Sequence, residues 1–157
     1  MLIGLISDTH GLLRPEAVQA LAGVDLLLHA GDLHSRDILA GLEAIAPLQA
    51  VLGNNDSPAD WPDLPHFFRG EYEGVRILMI HEVAHLRPDM LTPKPDLIIF
   101  GHSHKPASYE QEGIHYLNPG AAGHKRFSLP ISVALLKVDA GKWEVRFINL
   151  LDERPLP

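Results

Sequence analysis

Leu2-Ile3-Gly4-Leu5-Ile6-Ser7-Asp8-Thr9-His10-Gly11 is an apolar run of strand length that stops abruptly at a carboxylate and an imidazole two residues apart. Four later runs end in the same way. Leu26 to His29 runs into Gly31-Asp32, and Ala50 to Leu52 into Gly53-Asn54-Asn55-Asp56. Ile77 to Ile80 runs into His81, and Leu97 to Phe100 into Gly101-His102-Ser103-His104. Parallel strands of an open α/β sheet share one carboxyl edge, and ligands bind in the crevice there. Five separate stretches therefore aim carboxylate, amide and imidazole groups at one place.

The segments between these runs support a parallel arrangement in the first half. Pro15 suits the first position of a helix through Val18 and Leu21, with Gly23 at its exit. Ser35 is a candidate N-cap for a second helix whose Ile38, Leu42 and Ile45 share a face, with Pro47 marking its end. Such alternation favours a parallel sheet with helices outside it. Residues 57–65 read as a surface loop. Then His66 to Arg69 and Val75 to His81 read as a hairpin joined by residues 70–74, and residues 82–96, with Pro88, Pro93 and Pro95, allow only a short helix. Ala107 to Gln111, His115 to Asn118, Ile131 to Asp139 and Trp143 to Leu150 are further strands, the last two joined at Ala140-Gly141. A parallel first half and an antiparallel second half give two sheets face to face with helices outside, in the α/β class. Residues 152–157 read as a frayed end.

With 157 residues the chain fits one domain, 1–157. No apolar stretch approaches the roughly 20 residues of a membrane span, and Met1-Leu2-Ile3-Gly4 lacks a basic signal start, so a cytoplasmic location is expected. Zero cysteines exclude disulfides and a thiolate site, which leaves oxygen and nitrogen donors for any metal. A formal charge of -7 argues against polymeric nucleic acid as partner. A compact site charged by metal ions still suits a small anionic substrate.

Asp8, His10, Asp32, Asn54, His81, His102 and His104 are the candidate ligands, too many for one ion that must keep a position open. Two divalent transition metals are the economical reading, with manganese foremost and nickel, iron, cobalt or zinc as alternatives. With ions roughly 3.5–4 Å apart, one carboxylate bridges them, and a bridging water or hydroxide is the nucleophile for in-line attack at phosphorus. Each short motif alone is ordinary turn chemistry. Their joint occurrence at strand ends is what gives them weight.

The series Asp8-x-His10, Gly31-Asp32, Gly53-Asn54-x-Asp56, His81 and Gly101-His102-x-His104 resembles the signature of the calcineurin-like metallophosphoesterases. The brevity of the chain, its Ile6-to-Gly11 start and Asn118-Pro119-Gly120 are similar to the small YfcE-type phosphodiesterase branch. The resemblance runs from Met1 to about Arg126 and implies a four-layer αββα sandwich of two mixed β-sheets flanked by helices. It also implies that Asp8, His10, Asp32 and His104 hold one metal, while Asp32, Asn54, His81 and His102 hold the other. Asp32 is then the bridge, and Asn54 can also donate to a phosphate oxygen.

Larger members of that family often carry His after the motif asparagine, where it protonates the leaving group; this chain has Asn55. An amide cannot supply general acid catalysis, a contribution of about 10²–10⁴-fold. The candidate catalytic set is accordingly Asn54, Asn55 and His124, with His124 favoured over His34 and His85 because it sits beside Lys125 and Arg126 after Asn118-Pro119-Gly120. After His81, where the family often has Gly and a second His, the chain reads Glu82-Val83-Ala84-His85. His29, set among apolar residues, reads as structural.

The function expected is hydrolysis of small phosphodiesters at a dinuclear centre. A phosphomonoesterase is the near alternative. A scaffold that kept the fold and lost the chemistry, as in the metallophosphoesterase-like subunit of retromer, is the distant one. Small phosphate esters are the expected partners, without a membrane. A homo-oligomer built through Phe67 and Phe68 is an option set against their being core residues.

Overall fold

The computed structural model describes residues Met1–Pro157. In chain order its elements are β1 (Leu2–Ile6), α1 (Pro15–Ala20), β2 (Leu26–His29), α2 (Arg36–Glu43), β3 (Leu48–Ala50), β4 (Phe67–Tyr72) and β5 (Val75–Ile80). There follow two 3₁₀ turns (Val83–His85 and Pro88–Leu91), then β6 (Leu97–Ile99), β7 (Ala107–Gln111), β8 (Ile114–Asn118), β9 (Ser132–Asp139) and β10 (Lys142–Asn149). The strands form two five-stranded mixed sheets, ordered β10-β9-β1-β2-β3 and β4-β5-β6-β8-β7.

The two mixed sheets are those the family resemblance implies, but the strands do not divide into a parallel first half and an antiparallel second half. Strands β1, β2 and β3 are parallel, but the C-terminal β9–β10 hairpin completes their sheet through antiparallel pairing of β9 with β1. The second sheet is parallel at its centre, β5–β6–β8, with β4 and β7 as antiparallel edges. Each sheet therefore mixes the two senses. Two consecutive left-handed residues, Glu73 (φ 47°) and Gly74 (φ 83°), turn the first hairpin, so β4 continues through Gly70 to Tyr72 where a five-residue connection was expected.

Alternation along the strands explains the layering, since successive side chains face opposite sides. Ile3, Leu5, Leu26 and Leu28 from the first sheet meet Ile77, Met79, Ile99 and Leu117 from the second in a fully enclosed core. The outer face of the first sheet, with Ile6 and Leu27, is covered by Ala17 of α1, by Leu21 just after it, and by Ile38 and Leu42 of α2. Gly4 permits that covering, because a Cβ there would lie 2.7 Å from the side chains of both Leu21 and Leu27.

Beyond the second sheet the outer layer is thin. Leu78, Ile80, Ile98 and Phe100 pack against Met90 and its neighbours in the 3₁₀ segment, where prolines keep a full α-helix from forming. Phe68 packs against the core between the sheets and Phe67 against the outer cluster, so both serve the fold. No helix is long and apolar enough to cross a membrane.

Leu28 is 0% exposed at the centre of the inter-sheet core. Leu28→Ala is expected to cost about 2–5 kcal/mol through lost burial and a residual cavity. Urea unfolding monitored by circular dichroism measures it, and a change below about 1 kcal/mol would contradict this account of the core.

Candidate metal centre

The loops leaving β1, β2, β3, β5 and β6 meet at one edge of the sandwich. Backbone bonds lace them together: the amides of Asp8, His10 and Gly11 donate to the carbonyls of Gly31, Asp32 and Leu33, and Gly101 N–H donates to His81 O. The chain takes an unusual path there. Asp8 (φ 53°), His10 (47°), Asp32 (62°), His34 (68°), His102 (72°) and His104 (63°) all have left-handed backbone. Such residues cost of order 1–3 kcal/mol each and persist only where the surroundings over-determine them.

Asp56 supplies much of that determination. Its buried carboxylate accepts hydrogen bonds from the amides of Asp32 (2.9 Å), Leu33 (3.1 Å), His34 (3.0 Å) and Gly53 (2.9 Å). One side chain thus clasps the loop after β2 to the loop after β3. The only sequence signal for this was the place of Asp56 in Gly53-Asn54-x-Asp56, because backbone donors leave no side-chain partner to find. Glycine is required at two close approaches: a Cβ on Gly53 would collide with the Asp32 carboxylate, and one on Gly101 with Ser7 Oγ.

The sequence-selected side chains come together in two overlapping groups. Asp8 Oδ1 lies 3.8 Å from His10 Nε2 and 3.5 Å from His104 Nε2, and those two nitrogens are 3.2 Å apart. Asp8 Oδ1 is also 3.8 Å from His81 Nε2, which lies 3.4 Å from Asp32 Oδ2 and 2.9 Å from Asn54 Oδ1. Asp32 Oδ2 is 3.6 Å from His10 Nε2, so both carboxylates stand between the groups. His102 is the outermost member, half exposed, with Nδ1 3.2 Å from Asn54 Oδ1 and 3.6 Å from Glu82 Oε1.

The donor chemistry fits divalent cations. His81 Nδ1–H donates to Ala30 O (2.7 Å), so in the neutral ring Nε2 carries a lone pair turned on three oxygens that cannot donate. Asp8 Oδ1 is buried with no hydrogen-bond partner, while Asp8 Oδ2 accepts from Ser7 Oγ–H (2.7 Å) and His102 N–H (3.1 Å). An orphaned buried carboxylate oxygen is costly unless a positive charge faces it. Donors bound at about 2.1 Å to a first-row ion stand about 3–3.5 Å from each other, close to the spacings here.

The local electrostatics follow from the same crowding of carboxylates and imidazoles. Burial works to raise the Asp32 pKa, but hydrogen bonding with His81 and from the Asn55 backbone outweighs it and holds the carboxyl well below the usual range. Burial disfavours the charged form of His81, yet its bond to Asp32 and the charges on Asp8 and Asp32 leave the pKa raised. At His104 burial wins and the pKa is lowered, with the Arg126 charge adding to it.

Asn55 belongs to this environment as a support for Asp32. Its backbone N–H donates to Asp32 Oδ1 (2.9 Å) and its side-chain amide to Asp32 Oδ2 (3.0 Å). His29 is fully buried, accepting from Gly31 N–H at Nδ1 (3.1 Å), which leaves its Nε2–H for Thr9 Oγ1 (3.0 Å). It holds the loops and faces none of the candidate ligands directly. His124 is exposed in the segment before Leu129 and has no bond to the cluster. Arg14 Nε–H donates to Gly123 O (2.8 Å) and thereby anchors that segment.

Beside the His81 and Asn54 end of the cluster opens a cavity of about 410 Å³, lined also by Glu82, His85, His66 and Arg87 over an apolar floor that includes Met90. His85 Nε2 lies 3.3 Å from Glu82 Oε2. These two residues come from the stretch where the chain departs from the family pattern.

Residues 1–141 match the model of the calcineurin-like phosphoesterase superfamily domain, and the chain belongs to that family. A probable metallophosphoesterase of Methanothermobacter thermautotrophicus is 40% identical over 161 aligned positions, covering 95% of this chain and 92% of that protein. Among solved structures, wild-type Vps29 of Entamoeba histolytica complexed with zinc superposes with a TM-score of 0.79 at 22% identity, covering 98% of this chain and 95% of that one. An archaeal phosphodiesterase superposes with a TM-score of 0.76 at 22% identity, covering 94% of this chain and all of that one (100%). At such identities the likeness of structures concerns the fold.

Burial lowers the His29 pKa from 6.5 to about 4. The unfolded chain therefore binds more protons than the folded one between these values, and stability rises with pH across that window. Acidification from pH 7.5 to 5 is expected to remove about 2 kcal/mol through this residue. The difference in urea-unfolding free energy between wild type and His29→Gln, both treated with chelator, isolates it. Equal pH dependence in the two proteins would contradict the assignment.

Proposed function

We propose that this protein is a metal-dependent phosphodiesterase for small diesters, with two divalent cations, manganese foremost, held between Asp8, His10, Asp32 and His104 on one side and Asp32, Asn54, His81 and His102 on the other. The observation that carries the proposal is the crowding of acceptor atoms around Asp8 Oδ1 and Asp32 Oδ2, with imidazole nitrogens facing both. When bound, such ions supply Lewis acidity toward phosphoryl oxygens and lower the pKa of water.

The chain supplies orientation and charge around that chemistry. Asn55 and the loop clasp of Asp56 keep Asp32 in place, and Ala30 O fixes the His81 ring. Asn54 turns Oδ1 toward the cluster, which leaves its NH₂ group for a non-bridging phosphoryl oxygen. The adjoining cavity gives the second ester arm of a diester somewhere to sit, and a monoester has no use for it. This favours the diester reading over the monoester one, and the filled ligand positions weigh against a purely structural role.

Hydrolysis adds water across one P–O bond, and the departing oxygen needs a proton. We assign that donor to His85 in preference to His124, because His85 lines the cavity and pairs with Glu82 while His124 does neither.

Metal-stripped protein re-supplied with Mn²⁺ is expected to cleave bis(4-nitrophenyl) phosphate faster than 4-nitrophenyl phosphate, and Asp32→Asn to lose about 10³-fold or more in kcat/KM. Faster monoester cleavage would turn the assignment to a phosphomonoesterase, and no turnover with any divalent metal would favour the scaffold. His85→Ala is expected to slow diesters with alkyl leaving groups about 10²-fold while leaving nitrophenyl diesters within about threefold. Equal losses for both would remove His85 as the proton donor.

A further inference from the structure

We infer that His34 is a positioning residue for His10, fixing the tautomer and the ring orientation that metal binding requires; this rests on the metal centre proposed above. His10 Nε2 faces Asp8 Oδ1, Asp32 Oδ2 and His104 Nε2, so this nitrogen must present a lone pair to bind a cation. A neutral imidazole then carries its proton on Nδ1, and the partner of Nδ1 decides whether that tautomer prevails. For His81 the partner is a backbone carbonyl. For His10 it is another imidazole, with His34 Nε2 at 3.3 Å and the two rings edge to face, centroids 4.7 Å apart at 81°.

Acceptance at His34 Nε2 places the remaining proton of that ring on Nδ1. The pair is therefore directional, with Nδ1–H of His10 donating and His34 accepting. His34 itself belongs to neither donor group around the carboxylates. Its side chain is exposed, so core packing does not explain its placement.

The backbone of His34 is built for this contact. It occupies the left-handed region at φ 68°, its amide donates to Asp56 Oδ1 (3.0 Å), and the preceding Leu33 carbonyl accepts from Gly11 N–H (2.8 Å). The Asp56 carboxylate that sets the Asp32 backbone thus sets the His34 ring as well. Strain at an exposed, non-ligand histidine is accounted for by what its ring touches.

The test is a calorimetric titration of chelator-treated protein with Mn²⁺, in wild type and in His34→Ala, His34→Leu and His34→Gln, with folding checked by circular dichroism. Long-range ¹H–¹⁵N spectra of the same proteins report the His10 tautomer. His34→Ala and His34→Leu are expected to weaken one of two Mn²⁺ sites about 10–100-fold and to mix the His10 tautomers. His34→Gln, whose side-chain oxygen can accept from Nδ1–H, restores most of both. Unchanged affinity in His34→Ala would overturn the inference while leaving the metal centre standing, and so would equal losses in His34→Gln and His34→Leu. Wild type that binds no Mn²⁺ would overturn the metal centre and the inference with it.

Discussion

Two buried carboxylates, Asp8 at 0% and Asp32 at 2% exposure, stand close enough to share their histidine neighbours. No lysine or arginine side chain forms an ion pair with either one. Concentrating negative charge out of water is costly, and the fold carries that cost through its strained loops and their hydrogen-bond supports. Asp56 adds a third acid behind the first two, directed entirely at backbone amides, which stiffens the ground on which Asp32 stands. Arranged in this way, the edge of the sandwich concentrates negative charge although its own backbone geometry is unfavourable.

The gathering of these side chains at one edge was legible because an apolar run with strand periodicity is a strong local signal, and the residue types that interrupt it are few. His29 was read correctly from its apolar neighbours alone. What escaped was non-local. The β9–β10 hairpin has the same alternation whichever sheet it joins, so the sequence pattern could not say that it extends the N-terminal sheet. Both turn residues of the first hairpin, Glu73 and Gly74, lay inside a stretch read as a five-residue connection, since Gly70 imitates a turn signal while actually sitting in β4. Asp56 and Asn55 were visible as residues, but their partners are a backbone and a carboxylate that only the folded chain brings near.

The departure from the family pattern after His81 has a structural counterpart. Glu82 and His85 wall the cavity beside Asn54, whereas Asn55, at the position where an acid is missing, is spent on Asp32. An amide there fits a centre that needs Asp32 held from both its oxygens. His124, suggestive in the sequence, lies on the exposed surface of its segment, which Arg14 anchors through Gly123 O. Proximity of a basic or titratable residue to a motif in sequence is weak warrant for proximity in space.

The members of the centre are also far apart along the chain. His10 meets His104 across 94 positions, Asn54 meets His102 across 48, and the strand beneath them all, β1, is paired with β9 near the far end. No hairpin or single βα unit contains even one complete group of donors. Contacts of such high sequence separation stabilise the chain only once loop-closure entropy has been overcome. Any cation affinity of these residues would thus be a property of the finished fold alone: a partly assembled chain would lack a complete donor set, and retention of an ion would report that both sheets have closed upon each other.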